Sequence, residues 1–326
     1  MTSVGILGTG AAIPENFISN RYLEKLVDTT DQWIQSRTGI RKRHIAKLDE
    51  YNSDLASKAA LEAVRNAGLH SEDVGLVIVA TISPDKPFPA TANIVQYKIG
   101  AKNAASFDIN AACSGFLYSI IVGESLIAAK THRYVVAIGS EIMSRLLNWK
   151  DRNTCVLFGD GAGAVVLGAV EEGYGIRSRY MKSNGEHNDL LHQPAGGSSL
   201  LPSRETIEQN LHSVQMTGND VFKHAVKFMA KSACEALKEA GLTNDDITLM
   251  IPHQANLRII EAAARRIKFP MKKVFMNIHE YGNTTAGSIP ISIHEAIASG
   301  RASHGDYILL VTFGAGFTWG AAVIRL

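Results

Sequence analysis

Three residues in this chain have side chains suited to acyl chemistry and fall at the same kind of position. Cys113 lies in NAACSGF (110–116), between the apolar run 104–109 and a stretch reaching Lys130 with apolar residues at helical spacing. That pattern predicts a strand feeding a helix within a few residues, with the thiol on the turn between them. A thiol there meets the positive end of the helix dipole and unpaired backbone N–H groups, which stabilise the thiolate. The same N–H groups can receive an oxyanion formed on a bound acyl group. A lone cysteine is more often a buried filler, and its neighbours by themselves do not settle which reading holds. In IPHQANLRI (251–259) a strand ends at Ile251, and His253 sits on the turn before another helix. In IHEYGNTTAGS (278–288) Asn283 lies in a Gly/Thr turn that precedes a third helix. Taken singly, His253 reads equally as a helix-start or packing residue, and Asn283 reads more simply as a turn or cap residue. Taken together, a cysteine, a histidine and an asparagine at strand ends can converge on one pocket.

The elements that must position them alternate short β-rich runs (76–81, 134–139, 164–167, 307–312) with longer helical ones, which predicts an α/β architecture. A self-comparison goes further. Residues 60–78, ALEAVRNAGLHSEDVGLVI, align without gaps on residues 233–251, ACEALKEAGLTNDDITLMI. At the same offset of 173, Tyr134-Val135-Val136 meets Tyr307-Ile308-Leu309. The chain therefore reads as two copies of one α/β unit, 1–172 with Cys113 and 173–326 with His253 and Asn283. A pseudo-symmetric pair commonly buries its ligand site between the halves. The stretch 182–215, rich in Gly, Ser, Asn and His, reads as surface loop. GILGTGAAIP and GDGAGAVVL do not match a dinucleotide fingerprint, and close backbone packing explains their glycines.

Composition excludes several classes. The 326 residues carry a formal charge of +2 and are 46% hydrophobic, which suits large cores and argues against a nucleic-acid binder. Three cysteines (113, 155, 234) are too few for a disulfide framework and predict a reducing cytoplasm; Cys155 and Cys234 read as core residues. The opening MTSVGILGTGAAIP carries no basic leader and reads as a strand. No run approaches the ~18 apolar residues of a membrane-crossing helix. There is no G-x-S-x-G elbow, phosphate loop, H-E-x-x-H or paired C-x-x-C, so no metal site is expected.

The motifs assemble into a known pattern. TTDQWIQSRTGIRKRHIA (29–46), DINAACSGF (108–116), LFGDGAGAVVLG (157–168), MTGNDVFKHAV (216–226), PHQANLRI (252–259), YGNTTAGS (281–288) and FGAGFTWGAA (313–322) span nearly the whole chain. With them the sequence resembles the β-ketoacyl-[acyl-carrier-protein] synthase III enzymes of the thiolase superfamily. The resemblance implies a five-layered αβαβα fold with two pseudo-symmetric halves, and a homodimer. It implies a Cys113–His253–Asn283 triad. Acyl-CoA, with acetyl-CoA the expected primer, acylates Cys113; decarboxylative condensation with malonyl-acyl carrier protein then gives the 3-oxoacyl product. No tightly bound cofactor is implied, the CoA thioester being a substrate.

The same matching carries further roles onto this chain. Backbone N–H groups of Cys113 and Ala315 form the pocket for the acyl carbonyl oxygen. Ala315 departs from the Gly-Gly-Gly common in the family, as Ser114 departs from a frequent Ala. Trp33 and Arg152 sandwich the CoA adenine, while Thr29, Arg37, Gly218 and Asn256 follow the CoA tunnel and Phe313 lies near the thiol. Phe88 shapes the acyl pocket across the dimer. Acyl carrier proteins are acidic, so the basic cluster after PHQAN is a candidate docking patch, with Arg258, Arg265 and Arg266 its first members. Arg258 and Arg265, seven residues apart, share a helix face. A paralogue joining other acyl groups, a thiol hydrolase using the same triad types and a catalytically silent binding module are the alternative readings.

Overall fold

Two short aliphatic runs, Leu76–Ala80 and Leu249–Pro252, are buried on both faces, as unbroken apolar strands must be. Each lies inside or beside a parallel pairing in one of two five-stranded sheets. The computed structural model describes residues 2–326. The first sheet runs in the order Val4–Ala12, Gly161–Ala169, Val135–Glu141, Leu76–Ala80, Ala105–Ile109. The second runs Leu249–Pro252, Tyr307–Gly314, Thr318–Arg325, with Gly175–Ile176 and Tyr180–Ser183 both pairing on the outer side of the last. Leu76 pairs in parallel with Val135, and Leu249 with Ile308, so both partners are displaced by the 173 residues of the sequence repeat.

Helices Gly115–Ala128 and Ser288–Ala298 fill the space between the sheets, around a core that includes Ile78, Phe116, Ile120, Ile289 and Leu310. Asn52–Asn66 and Thr91–Lys98 cover the outer face of the first sheet. Gly218–Ala240 and Leu257–Arg266 cover that of the second. The result is the αβαβα layering of the thiolase fold, with two pseudo-symmetric halves. The glycines of GDGAGAVVL serve packing, Gly163 lying against Pro290 and Ile291 of the central helix.

Two sequence expectations change. Cys234 is exposed rather than in the core, because it lies on the outward face of Gly218–Ala240 while Ala233, Ala236 and Leu237 point inward. Cys155 is buried as expected. The stretch 182–215 is more than surface loop: Leu191–His192 pairs with Gln215–Met216, and the segment folds inward as one wall of a cavity.

Candidate active site

The strand Ala105–Ile109 is followed by a single 3-10 turn, Ala112–Ser114, and then by the helix Gly115–Ala128. The turn places Cys113 at the helix start. Ala112 adopts a left-handed φ of 47° just before it, a conformation that costs an alanine about 1–3 kcal/mol and persists where the surroundings enforce it. The surroundings do so here. Thr312 Oγ1 donates to the Cys113 carbonyl at 3.1 Å, and Ser114 Oγ donates to the Thr318 carbonyl at 3.1 Å. Gly314 passes over Cys113 so closely that a Cβ there would lie 2.7 Å from the Cys113 nitrogen. The left-handed residue of the following turn is Gly316, with φ 126°, so Ala315 carries no such strain and its departure from glycine is tolerated.

Burial pushes the Cys113 thiol up to about 12, and the negative charge of Glu141 adds to the effect. This is opposite to the shift expected from the helix terminus alone, because the depth of the site is a tertiary property. At neutral pH the Cys113 side chain is therefore an uncharged thiol.

His253 follows the strand Leu249–Pro252 and is buried. Desolvation lowers its pKa to about 3, so the imidazole is neutral at physiological pH. Its Nδ1 lies 2.7 Å from Ser288 Oγ, which also accepts from the Gln254 N–H at 3.3 Å. Asn283 is fixed at three points. Its N–H donates to Leu157 O at 2.9 Å, its carbonyl accepts from Gly159 N at 3.1 Å, and its Oδ1 accepts from Thr285 N–H at 2.9 Å. With the side-chain oxygen occupied by a backbone donor, the –NH2 group is what Asn283 offers to the site.

Cys113, His253 and Asn283 all line one cavity of about 340 Å³. Trp33, Arg37, Arg152, Gly218, Asn256, Arg258 and Phe313 line the same cavity. The Arg152 guanidinium lies 5.0 Å from the centre of the Trp33 ring, a cation–π contact, and donates to Asp28 O at 2.7 Å. Asn256 also caps the helix Leu257–Arg266 by accepting from Arg258 N–H at 2.9 Å. Arg258 itself is exposed at the cavity edge, over Phe222.

A second cavity of about 440 Å³ meets the first at Cys113. Ala315 lines it, with Ile82, Met143, Leu146, Phe158, Leu191 and Val214 as an apolar wall. Asn188, His192 and Gln193 stand beside that wall. Sequence reasoning missed this wall. Its residues come from separate strand ends and from the unpatterned stretch 182–215, and no local periodicity marks them. Ser288, by contrast, could have been found as the polar residue at the start of the helix after YGNTTAGS.

Four expected residues lie outside both cavities. Thr29 is half-buried just before the helix Asp31–Thr38. Phe88 is 84% exposed. Arg265 lines a separate open depression with Glu261, Lys268, Phe269 and Met271, and Arg266 is exposed beside it. Among the described residues no group of three or more His, Cys, Asp or Glu could hold a metal ion, and no helix is long and apolar enough to cross a membrane.

The chain is similar to known proteins over nearly its whole length. Residues 107–185 match the family model described as 3-oxoacyl-[acyl-carrier-protein (ACP)] synthase III, and residues 237–326 match its C-terminal counterpart. The chain is 51% identical over 324 residues to a β-ketoacyl-[acyl-carrier-protein] synthase III of Clostridioides difficile, covering 99% of this chain and 98% of that protein. It is 50% identical over 323 residues to that of Caldanaerobacter subterraneus, covering 99% and 98%. Among solved structures, the 3-oxoacyl-[acyl-carrier-protein] synthase III of Aquifex aeolicus superposes with a TM-score of 0.92 at 44% identity, covering 99% of this chain and 100% of that one. The priming β-ketosynthase of the R1128 polyketide pathway gives 0.92 at 31% identity, covering 99% and 97%. Near-complete coverage at half identity leaves one conclusion: this chain is a member of the β-ketoacyl-[acyl-carrier-protein] synthase III family.

Proposed function

We propose that the chain initiates type II fatty-acid synthesis, with Cys113, His253 and Asn283 as its catalytic residues. The convergence of these three side chains on one cavity, with a second cavity meeting it at the thiol, is the observation that carries the reading. In the first step the Cys113 sulfur attacks the thioester carbonyl of acyl-CoA. The C–S bond to CoA breaks, and CoA leaves as its thiol with the proton. The acyl oxygen is received by the N–H groups of Cys113 and Ala315, and the acyl chain enters the second cavity. Malonyl-acyl carrier protein then loses CO2 to give an enolate. Its oxygen is held by the Asn283 amide and His253 Nε2–H, and its carbon attacks the acyl group. The 3-oxoacyl chain departs on the carrier, and Cys113 regains a proton.

Two neutral donors suit a charge that exists only transiently, since neither needs a counter-ion when it is absent. Ser288 supports the tautomer. Its oxygen accepts from Gln254 N–H, and when its own proton goes to His253 Nδ1, 2.7 Å away, the ring proton is left on Nε2. The Trp33–Arg152 pair supports adenine recognition: a flat ring and a guanidinium both stack on a base, and Arg152 must swing off the indole to admit it. Arg37, Gly218 and Asn256 line the path from there to the thiol, with Phe313 beside it; Thr29 lies outside the cavity, just before the helix that carries Trp33. Arg258 is the docking residue best placed for an acidic carrier protein, with Arg265 and Arg266 further along the same helix.

A homodimer of such chains, each with halves 1–172 and 173–326, accounts for a further feature. Phe88, Tyr97 and Phe107 are exposed around Ala105–Ile109, an open edge strand of the first sheet. Pairing there would cover them and bring Phe88 to the partner's acyl cavity. The even charge and sparse cysteines support a cytoplasmic enzyme.

The test is to incubate the purified protein with acetyl-CoA and longer acyl-CoAs, record intact mass and map the adduct. An acyl group on Cys113 that malonyl-acyl carrier protein discharges is the expected result. An adduct that water removes as fast as it forms would point to the hydrolase instead. The primer that acylates fastest identifies the starter.

A further inference from the structure

Arg43 is a fully buried cation that the catalytic scheme does not use. It lies in the short strand Lys42–His44, opposite Ile18. Its guanidinium pairs directly with no carboxylate and bonds only neutral acceptors: Asn20 Oδ1 at 2.9 Å, Val156 O at 2.9 Å and, at the 3.4 Å limit, Ile18 O. Its Nε has no partner. Burial lowers its pKa to about 10, so it stays charged at neutral pH. A buried charge without direct compensation is expensive, and a well-packed apolar residue in the same space often costs less. Its retention needs a use.

The partners supply one. The carbonyl that Arg43 holds, Val156 O, belongs to the residue just before the clamp on Asn283. Leu157 O accepts from Asn283 N–H, Phe158 bridges Asn283, and Gly159 N–H donates to Asn283 O. The Arg43 stem fills the space beneath both strands of that clamp. A Cβ on Gly159 would lie 3.1 Å from Arg43 Cβ, and one on Gly282 3.3 Å from it. On its other side, Asn20 Nδ2 donates to Asp31 Oδ1 at 2.8 Å and to Ile40 O at 2.7 Å. Asp31 opens the helix that carries Trp33 and Arg37. Cys113 is held separately, through Thr312.

We propose that Arg43 is a positioning residue for the condensation step: its guanidinium fixes the 156–159 segment that holds Asn283 and ties that segment, through Asn20, to the Trp33/Arg37 helix. This rests on Asn283 being the enolate-oxygen donor, as proposed above. Loss of the guanidinium frees the clamp to shift, and a misplacement of about 1 Å costs roughly 10²-fold in a positioned reaction. The Cys113 turn has its own anchor in Thr312, so acylation at saturating acetyl-CoA is spared, and any loosening of the Trp33/Arg37 helix shows only as a higher KM for acyl-CoA.

The experiment compares full-length wild type, Arg43→Met and Arg43→Lys in two half-reactions: acylation by acetyl-CoA, read by intact mass, and discharge of the acyl-enzyme by malonyl-acyl carrier protein. At saturating acetyl-CoA, Arg43→Met should acylate within about 3-fold of wild type and discharge about 10²-fold more slowly, and Arg43→Lys should recover most of the discharge rate. Should Arg43→Met fail to fold, Arg43→Gln carries the comparison: slower discharge with normal acylation at saturating acetyl-CoA supports the proposal. Parallel loss of both half-reactions, or unchanged discharge, overturns it. A wild-type acyl-enzyme that the malonyl carrier does not discharge would overturn the reading of the site itself, and this role with it.

Discussion

Replacing Asn283 separates the two half-reactions and tests the roles assigned to the site. The side-chain oxygen is already bonded to Thr285 N–H at 2.9 Å, so only the –NH2 group is available to a substrate. Asn283→Ala removes one of two donors aimed at the enolate oxygen. One such donor is worth about 10²–10³ in rate, or about 2.7–4 kcal/mol. Asn283→Asp keeps the size and the Thr285 contact, yet turns an acceptor towards an oxygen that is becoming negative. In a residue only 6% exposed, water screens that repulsion poorly, so the aspartate should be slower than the alanine. Neither change touches the N–H groups of Cys113 and Ala315, so acylation by acetyl-CoA should stay within about 3-fold of wild type. Acylation is followed by intact mass, and condensation by release of CO2 from malonyl-acyl carrier protein. Equal losses in the two steps, or an aspartate variant at wild-type speed, would refute the assignment.

Three further outcomes are expected. Trp33→Ala removes one stacking face and should raise the KM for acyl-CoA roughly 10- to 100-fold, while pre-acylated enzyme condenses normally; steady-state kinetics on both substrates decide it. Arg258→Glu should raise the KM for malonyl-acyl carrier protein and spare acylation, with an effect that shrinks as salt rises; equal damage to both steps counts against docking. Glu141 is buried among donors from Thr81, Ile82 and Ser83, and burial still raises its carboxyl from 4.5 to about 7. Between those values the folded state keeps a proton that the unfolded chain has lost. Stability should therefore fall as pH rises through that window, by at most about 1.4 kcal/mol per unit, and Glu141→Gln should flatten the Tm–pH curve.

Periodicity and a self-comparison are enough to give this chain its α/β class, its two-fold repeat and the strand-end positions of Cys113, His253 and Asn283. These are local properties: a strand, a turn and a helix start are written within a dozen residues of each other, and a repeat survives as aligned text. The motif matches add Trp33, Arg152, Arg37, Gly218, Asn256 and Phe313, drawn from five separate stretches of the chain. That they share one cavity with the thiol is a fact of the tertiary structure.

Other features exist only after folding. The exposure of Cys234 depends on which face of its helix meets the sheet, and the sequence around it allows either. The apolar wall of Ile82, Met143, Leu191 and Val214 is gathered from three segments, one of them, 182–215, without any pattern. The upward shift of the Cys113 thiol reflects burial that no turn motif encodes. Arg43 reads in sequence as one basic residue in RKRH, yet the fold buries its charge beneath the clamp on Asn283. Sequence fixes what is near in the chain, and burial, electrostatics and cavity shape are sums over neighbours that only packing brings together.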